Sequence, residues 1–257
     1  MSKLLSFNAK AAIAFILFCA LFVSVVCIMV DHANRSEQRI AEGSTEAHTS
    51  PYESLPVVII DAGHGGEDGG AVGVNGCAEK DINLAIALEL EQMLRAVGIK
   101  TRLTRSTDIL LYDKDSDYKG HKKEQDLDTR LAIAEEYESA IFISIHMNSF
   151  PQQKYSGLQV YYSPNSPTSA VIARKIQDLA VTSIQPNNKR KIKQSDENIY
   201  LLSKINHPAI LIECGFLSNP EECAALCSAE YRSRLCAVFY AAIADFYNGM
   251  INGAQNS

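Results

Sequence analysis

Polar and apolar positions divide this chain into three regimes. Residues 11–30 are apolar except for Ser24, and residues 31–55 are polar, with Ile40 the only large apolar side chain before Tyr52. From Pro56 to about residue 248, short apolar runs alternate with stretches of helical spacing. As a helix rising 1.5 Å per residue, the first run spans about 30 Å, the thickness of a bilayer core. Lys3 and Lys10 precede it, and the mixed charges Asp31, Arg35, Glu37 and Arg39 follow. Positive charge on the short side puts residues 1–10 in the cytoplasm and the rest outside. The run reads as a transmembrane anchor or an uncleaved signal. It is long for a signal-peptide core, and no small-x-small cleavage site follows. Residues 31–55 read as a flexible linker, 56–249 as the globular domain and 250–257 as a tail.

Within the globular stretch, Val57, Val58, Ile59 and Ile60 form a short buried strand that runs into a glycine-rich loop. Ile82, Ile86, Leu90, Met93 and Val97 recur at helical spacing, with Gly98 as the stop. Residues 100–104 alternate as a strand, 105–124 read as a charged surface loop, 127–137 as a helix and 141–145 as a second buried strand. Residues 157–162 alternate as a strand and 168–183 form an amphipathic helix. A further strand at 209–212 precedes helical sequence around 221–226 and 231–247. Strands separated by helices imply an α/β fold. The expected domain has three layers: a mostly parallel twisted central sheet with helices on both faces, in addition to the N-terminal transmembrane helix.

Charge narrows the function. Twenty-four Lys and Arg against 30 Asp and Glu give a net charge of −6, which speaks against a nucleic-acid partner. Seven cysteines cannot all pair within one chain. Cys223 and Cys227 fall one helical turn apart like half of a zinc site, but no second pair accompanies them, so buried structural thiols are the simpler reading.

Three polar residues stand at or just past the ends of apolar strands. His64 lies four residues after Ile60, His146 follows Ile145, and Glu213 follows Ile212. The carboxyl ends of parallel strands form the ligand-binding edge of an open α/β sheet, so parallel strands would bring all three to one crevice. Glu79, at the start of the first helix, is the fourth candidate. The loop 61–76 holds seven glycines, which lets backbone wrap closely around a site. Two His and one Glu are a common ligand set for one catalytic zinc ion, and Glu213 would then be available as general base. Each residue alone has a plainer explanation. A lone His is more often structural, and Glu79 can complement its helix dipole. A glycine-rich loop after a strand can cradle phosphate, although this spacing is neither G-x-G-x-x-G nor a Walker loop.

Four ordered motifs carry a family resemblance: Ile60-Asp61-Ala62-Gly63-His64-Gly65-Gly66, Glu79-Lys80-Asp81-Ile82-Asn83, Ser144-Ile145-His146-Met147-Asn148, and Ile212-Glu213-Cys214-Gly215-Phe216-Leu217-Ser218-Asn219. Together they resemble the zinc-dependent N-acetylmuramoyl-L-alanine amidases of the amidase-3 family. The resemblance implies one Zn2+ held by His64, Glu79 and His146, with Glu213 catalytic and Asn148 a candidate for contacting the glycan or peptide. It also implies peptidoglycan as the substrate. With no wall-binding module in the chain, an activating or targeting protein partner is expected. The catalytic domain would be extracytoplasmic, anchored to the membrane by the N-terminal helix. A narrower likeness, to the germination-specific amidases of spore-forming bacteria, rests on Tyr118-Lys119-Gly120, Asp126-Leu127 with Arg130, and Lys154-Tyr155-Ser156-Gly157. It implies spore-cortex processing that leads to muramic δ-lactam. A vegetative wall amidase and a non-catalytic wall-binding pseudoenzyme are the alternatives.

Overall fold

A computed structural model describes residues 55–113, 115 and 119–255. The predicted membrane span 11–30 and nearly all of the predicted linker lie outside the described residues. Among those described, no helix is long and apolar enough to cross a membrane.

The elements run β1 (Val57–Ala62), α1 (Glu79–Ala96), β2 (Thr101–Leu103), α2 (Lys122–Ala134), β3 (Ala140–Asn148), β4 (Gln159–Tyr162), α3 (Pro167–Ser183), β5 (Lys193–Gln194), α4 (Tyr200–Lys204), β6 (Ala209–Phe216), α5 (Pro220–Cys227) and α6 (Ala229–Gln255). The strands form one sheet in the order β2-β1-β3-β6-β4-β5. All neighbours are parallel except β4 and β6, which run antiparallel. The expected mostly parallel sheet with helices on both sides is therefore the fold.

Side chains alternate across each strand, so the two faces acquire separate cores. On one face Ile60, Ile143, Ile145 and Ile212 meet α1, α3 and α6 through Ile86, Leu90, Ile172, Ile176, Phe239 and Ile243. On the other, Ile59 and Phe142 meet Ile133 of α2 and Leu202 of α4. Ile86, Leu90 and Leu94 recur every fourth residue and are fully buried. Each contributes about 1.5–3 kcal/mol of burial free energy, which fixes α1 against the sheet.

Three departures from the sequence reading bear on function. The strands expected at 141–145 and 209–212 continue to Asn148 and Phe216. His146 and Glu213 therefore stand on strands, not beyond them. The helix expected at 127–137 spans Lys122–Ala134 instead. Its buried stripe is Asp126, Arg130, Ile133 and Ala134, half of it charged, so apolar periodicity under-reports it. The stretch 105–124 is not wholly surface: Arg105 and Leu110 are buried. The short β5 and α4 have no counterpart in the apolar pattern, which needs more than a turn or two to declare itself.

Candidate active site

β3 and β6 lie side by side, with His146 opposite Glu213. The same alternation that sends Ile145 and Ile212 into the larger core turns Ser144, His146, Leu211 and Glu213 to the face covered by α2 and α4. A cavity of about 280 Å³ opens there, lined by these residues together with Leu127, Tyr200 and Leu202. Burial in this cavity favours the uncharged form of the Glu213 carboxyl.

His64 arrives from the loop after β1 with φ at 63°, in the left-handed region that costs a non-glycine residue about 1–2 kcal/mol. Hydrogen bonds to three successive carbonyls offset that cost. Ala62 O accepts from Arg105 Nε and Arg130 Nη1, both at 2.9 Å. Gly63 O accepts from Arg105 Nη2 and Asn83 Nδ2, both at 3.1 Å. His64 O accepts from Arg130 Nη2 at 2.9 Å. Arg130 is itself held by Asp61, and by Asp126 at 2.8 Å. Asp61 also accepts from Thr104 Oγ1 at 2.8 Å and Ser144 Oγ at 2.6 Å.

Glu79 is the point of convergence. Its Oε2 accepts from the Ala71 N–H at 2.8 Å, and its Oε1 from the Met147 N–H at 2.9 Å. The same Oε1 lies 3.0 Å from His146 Nδ1 and 3.3 Å from His64 Nε2. The two imidazoles meet edge-on with centroids 4.9 Å apart. His64 Nδ1 faces Asp68 Oδ2 at 2.9 Å. A proton held there leaves Nε2 as a lone-pair donor. One ligand atom from each of His64, Glu79 and His146 lies within 4.8 Å of the others, so the group can hold a metal ion.

The two carboxylates are driven apart in acidity. Burial alone would raise the Glu79 pKa, but hydrogen bonds and charge attraction from His146 and His64 outweigh it and hold the carboxyl well below the usual range. Burial likewise opposes the charged form of His64, yet Glu79 and Asp68 raise its pKa. Glu213 goes the other way. Burial pushes its pKa up to about 7, with the Glu79 carboxylate adding to the effect and His146 opposing it. Its Oε2 is buried with no hydrogen-bond partner among the described residues. Neighbouring acids split in this manner suit one to remain an anion and the other to move a proton.

Asn148 ends β3, two residues past His146 and across an irregularity in the β3–β6 register. It is half-buried, and its backbone carbonyl accepts from the Leu217 N–H at 2.8 Å. Of the supporting layer, the sequence reading missed the roles of Thr104, Arg105 and Asp68, and it placed Asp61 and Ser144 only within motifs. It noted Arg130 only as part of a motif. The available signals were the i, i+4 pair Asp126 and Arg130, and polar residues at strand positions two before His146 and one after Ile60.

Comparison with known proteins adds a family to this geometry. Residues 58–245 match the amidase-3 family, N-acetylmuramoyl-L-alanine amidase. The germination-specific N-acetylmuramoyl-L-alanine amidase of Bacillus subtilis is 34% identical over 198 residues, covering 76% of this chain and 82% of that protein. Among solved structures, the CwlD amidase from Clostridioides difficile in complex with the GerS lipoprotein is 36% identical. It has a TM-score of 0.70, and the match covers 76% of this chain and 99% of that one. The catalytic domain of CwlV, an amidase from Bacillus (Paenibacillus) polymyxa, is 30% identical with a TM-score of 0.62, covering 76% and 99% of the two chains. The motifs, the cleft and these likenesses agree: the chain belongs to the N-acetylmuramoyl-L-alanine amidase family.

Proposed function

We propose that this chain hydrolyses the amide between N-acetylmuramic acid and L-alanine in peptidoglycan, with one zinc ion held by His64, Glu79 and His146 and with Glu213 as the proton carrier. The observation that carries the reading is the convergence of two imidazoles and one carboxylate beside a buried carboxyl oxygen that has no partner. Two nitrogen donors and one oxygen donor fit a catalytic zinc site, which keeps a position open for water or substrate. When bound, zinc supplies Lewis-acid polarisation of the scissile carbonyl and makes water a nucleophile at neutral pH. The chain's own residues do the rest. Glu213 accepts a proton at Oε2 from the attacking water and returns it to the departing L-alanine amine. A carboxyl with a pKa near 7 can do both at neutral pH. Leu127, Leu202 and Tyr200 wall the cleft and limit competing water. Asn148, at the cleft end of β3, contacts the glycan or the peptide.

The similarity to a germination-specific amidase supports spore-cortex processing as the setting. Residues 11–30 would hold the catalytic domain at the outer face of a membrane, with 31–55 as the tether. The lipoprotein complex formed by the Clostridioides difficile relative supports a protein partner of comparable role here. The test is digestion of purified peptidoglycan by the full-length chain, with and without a chelator, followed by mass spectrometry. Free L-alanine amino termini and muramic acid without stem peptides are expected only in the metal-replete sample. Cleavage at another bond, or products unchanged by chelation, would refute the assignment.

A further inference from the structure

The cysteines supply a second convergence of donors, distinct from the cleft. Asn75 and Cys77 belong to a small hairpin in which Val72 and Ala78 pair across a turn. Gly73 N–H donates to Cys77 O at 2.8 Å, and Gly76 N–H to Gly73 O at 2.8 Å. The hairpin brings Cys77 against α5, where Cys223 and Cys227 stand one turn apart. One sulfur from each of the three lies within 4.8 Å of the others. Cys77 is the third thiol that the i, i+4 pair lacked in the sequence, 146 residues away from Cys223.

Three features separate this group from thiols that merely fill space. Cys214 and Cys236 are fully buried. Cys223 is equally buried, but Cys77 and Cys227 beside it are only partly so, and a polar side chain reaches into the group. Asn75 Oδ1 lies 3.1 Å from Cys223 Sγ, and Asn75 Nδ2 lies 3.3 Å from Cys227 Sγ. Two thiolates about 2.3 Å from one tetrahedral zinc ion stand about 3.8 Å apart. Cys77 Sγ and Cys223 Sγ are separated by 3.8 Å. Finally, Gly73 is not among the positive-φ glycines, so its backbone does not require glycine. Space does: a Cβ there would lie 2.6 Å from Cys223 Sγ, 2.9 Å from Cys77 Sγ and 3.1 Å from Asn75 Oδ1. The missing side chain keeps the donors' cradle open. A disulfide would use two of the sulfurs and strand the third, while a soft cation uses all three.

We propose that Cys77, Cys223 and Cys227 form a second, structural site for one zinc ion, completed by the Asn75 side-chain oxygen or by water. Binding releases the three thiol protons to solvent and involves no redox change. The ion would staple the loop that leads into Glu79 to the helix that follows the Glu213 strand. It would thereby brace both halves of the cleft from behind.

The test loads the full-length chain with zinc under a phosphine reductant and counts metal by mass spectrometry. Two equivalents are expected in the wild type, and one each in H64A/H146A and in C77S/C223S/C227S. Cobalt in place of zinc should give a sulfur-to-cobalt charge-transfer band in the wild type and in H64A/H146A, but not in the triple serine variant. The single C77S change, in a partly exposed loop, should weaken that band even if the triple variant does not fold. One equivalent in the wild type together with the thiolate band would uphold this site and remove the imidazole one. Absence of the band from wild type and H64A/H146A would overturn the proposal. So would native protein, prepared without reductant, in which two of these sulfurs are joined and no metal is bound.

Discussion

Replacing Arg130 by Met tests how the first histidine is held. The Arg130 and Asp61 side chains are 2% and 1% exposed, and Asp126 is 6% exposed. Removal of the guanidinium strips a buried cation from two buried carboxylates and takes the Arg130 donor from His64 O, while Ala62 O loses one of its two donors and keeps Arg105 Nε. Breaking a buried pair by deleting one partner costs about 3–5 kcal/mol. Asp61 would keep its Thr104 and Ser144 donors, and Asp126 would keep the Leu111 N–H at 2.8 Å. The expected loss is therefore near the low end, about 3 kcal/mol. For a domain of this size that lowers the melting temperature by roughly 6–12 °C. Urea unfolding can be followed by far-ultraviolet circular dichroism, or by the fluorescence of the 11 tyrosines, since the chain has no tryptophan. The measurement belongs in chelator first, because a metal bound only to the native state adds its own stabilisation. Metal-replete protein should then lose more, as His64 is no longer fixed at its left-handed φ. A double-mutant cycle with D61N isolates the pair, and a coupling of about 1 kcal/mol or more is expected. A loss below about 1 kcal/mol in the metal-free R130M protein, less than a single buried pair is worth, would refute this account of the loop.

Glu213→Gln keeps shape and hydrogen-bonding reach but cannot carry the proton, so activity should fall by roughly a hundredfold or more. Bound metal should be unchanged; metal loss would make Glu213 a ligand instead. Gly63→Ala puts a Cβ 2.2 Å from His146 Nε2 and Cε1. It should cost about 1–3 kcal/mol and, by displacing that ring, lower metal affinity far more than fold stability, which calorimetric metal titration can read. Asp61 gives a pH prediction. Burial opposes its charged form, but Arg130 and Ser144 outweigh that and hold its pKa below 3.8. Its contribution to stability is therefore complete above that value and is lost as pH falls through the lower folded pKa. Urea midpoints of the wild type should drop more steeply below about pH 4 than those of D61N, and equal slopes would contradict the assignment.

Much of this protein is legible in the chain itself. Alternating apolar runs and helical spacing imply a mostly parallel α/β sheet, because burying a strand on both faces leaves no other pattern. Polar residues at or just past the ends of those runs mark His64, His146 and Glu213, because strand ends form the ligand-binding edge of such a sheet, and Glu79 stands at the start of the first helix. Other features depend on contacts far apart in sequence. Asp61, Arg105 and Arg130 are ordinary charged residues until the fold brings them beneath the His64 loop, and Arg105 sits in a stretch whose composition reads as surface. Cys77 becomes a neighbour of Cys223 and Cys227 only when the hairpin before α1 closes on α5. Periodicity records which face a residue takes. Which residues from two faces or two loops meet is decided by tertiary packing, and so are the split acidities of Glu79 and Glu213, which arise from their shared cleft.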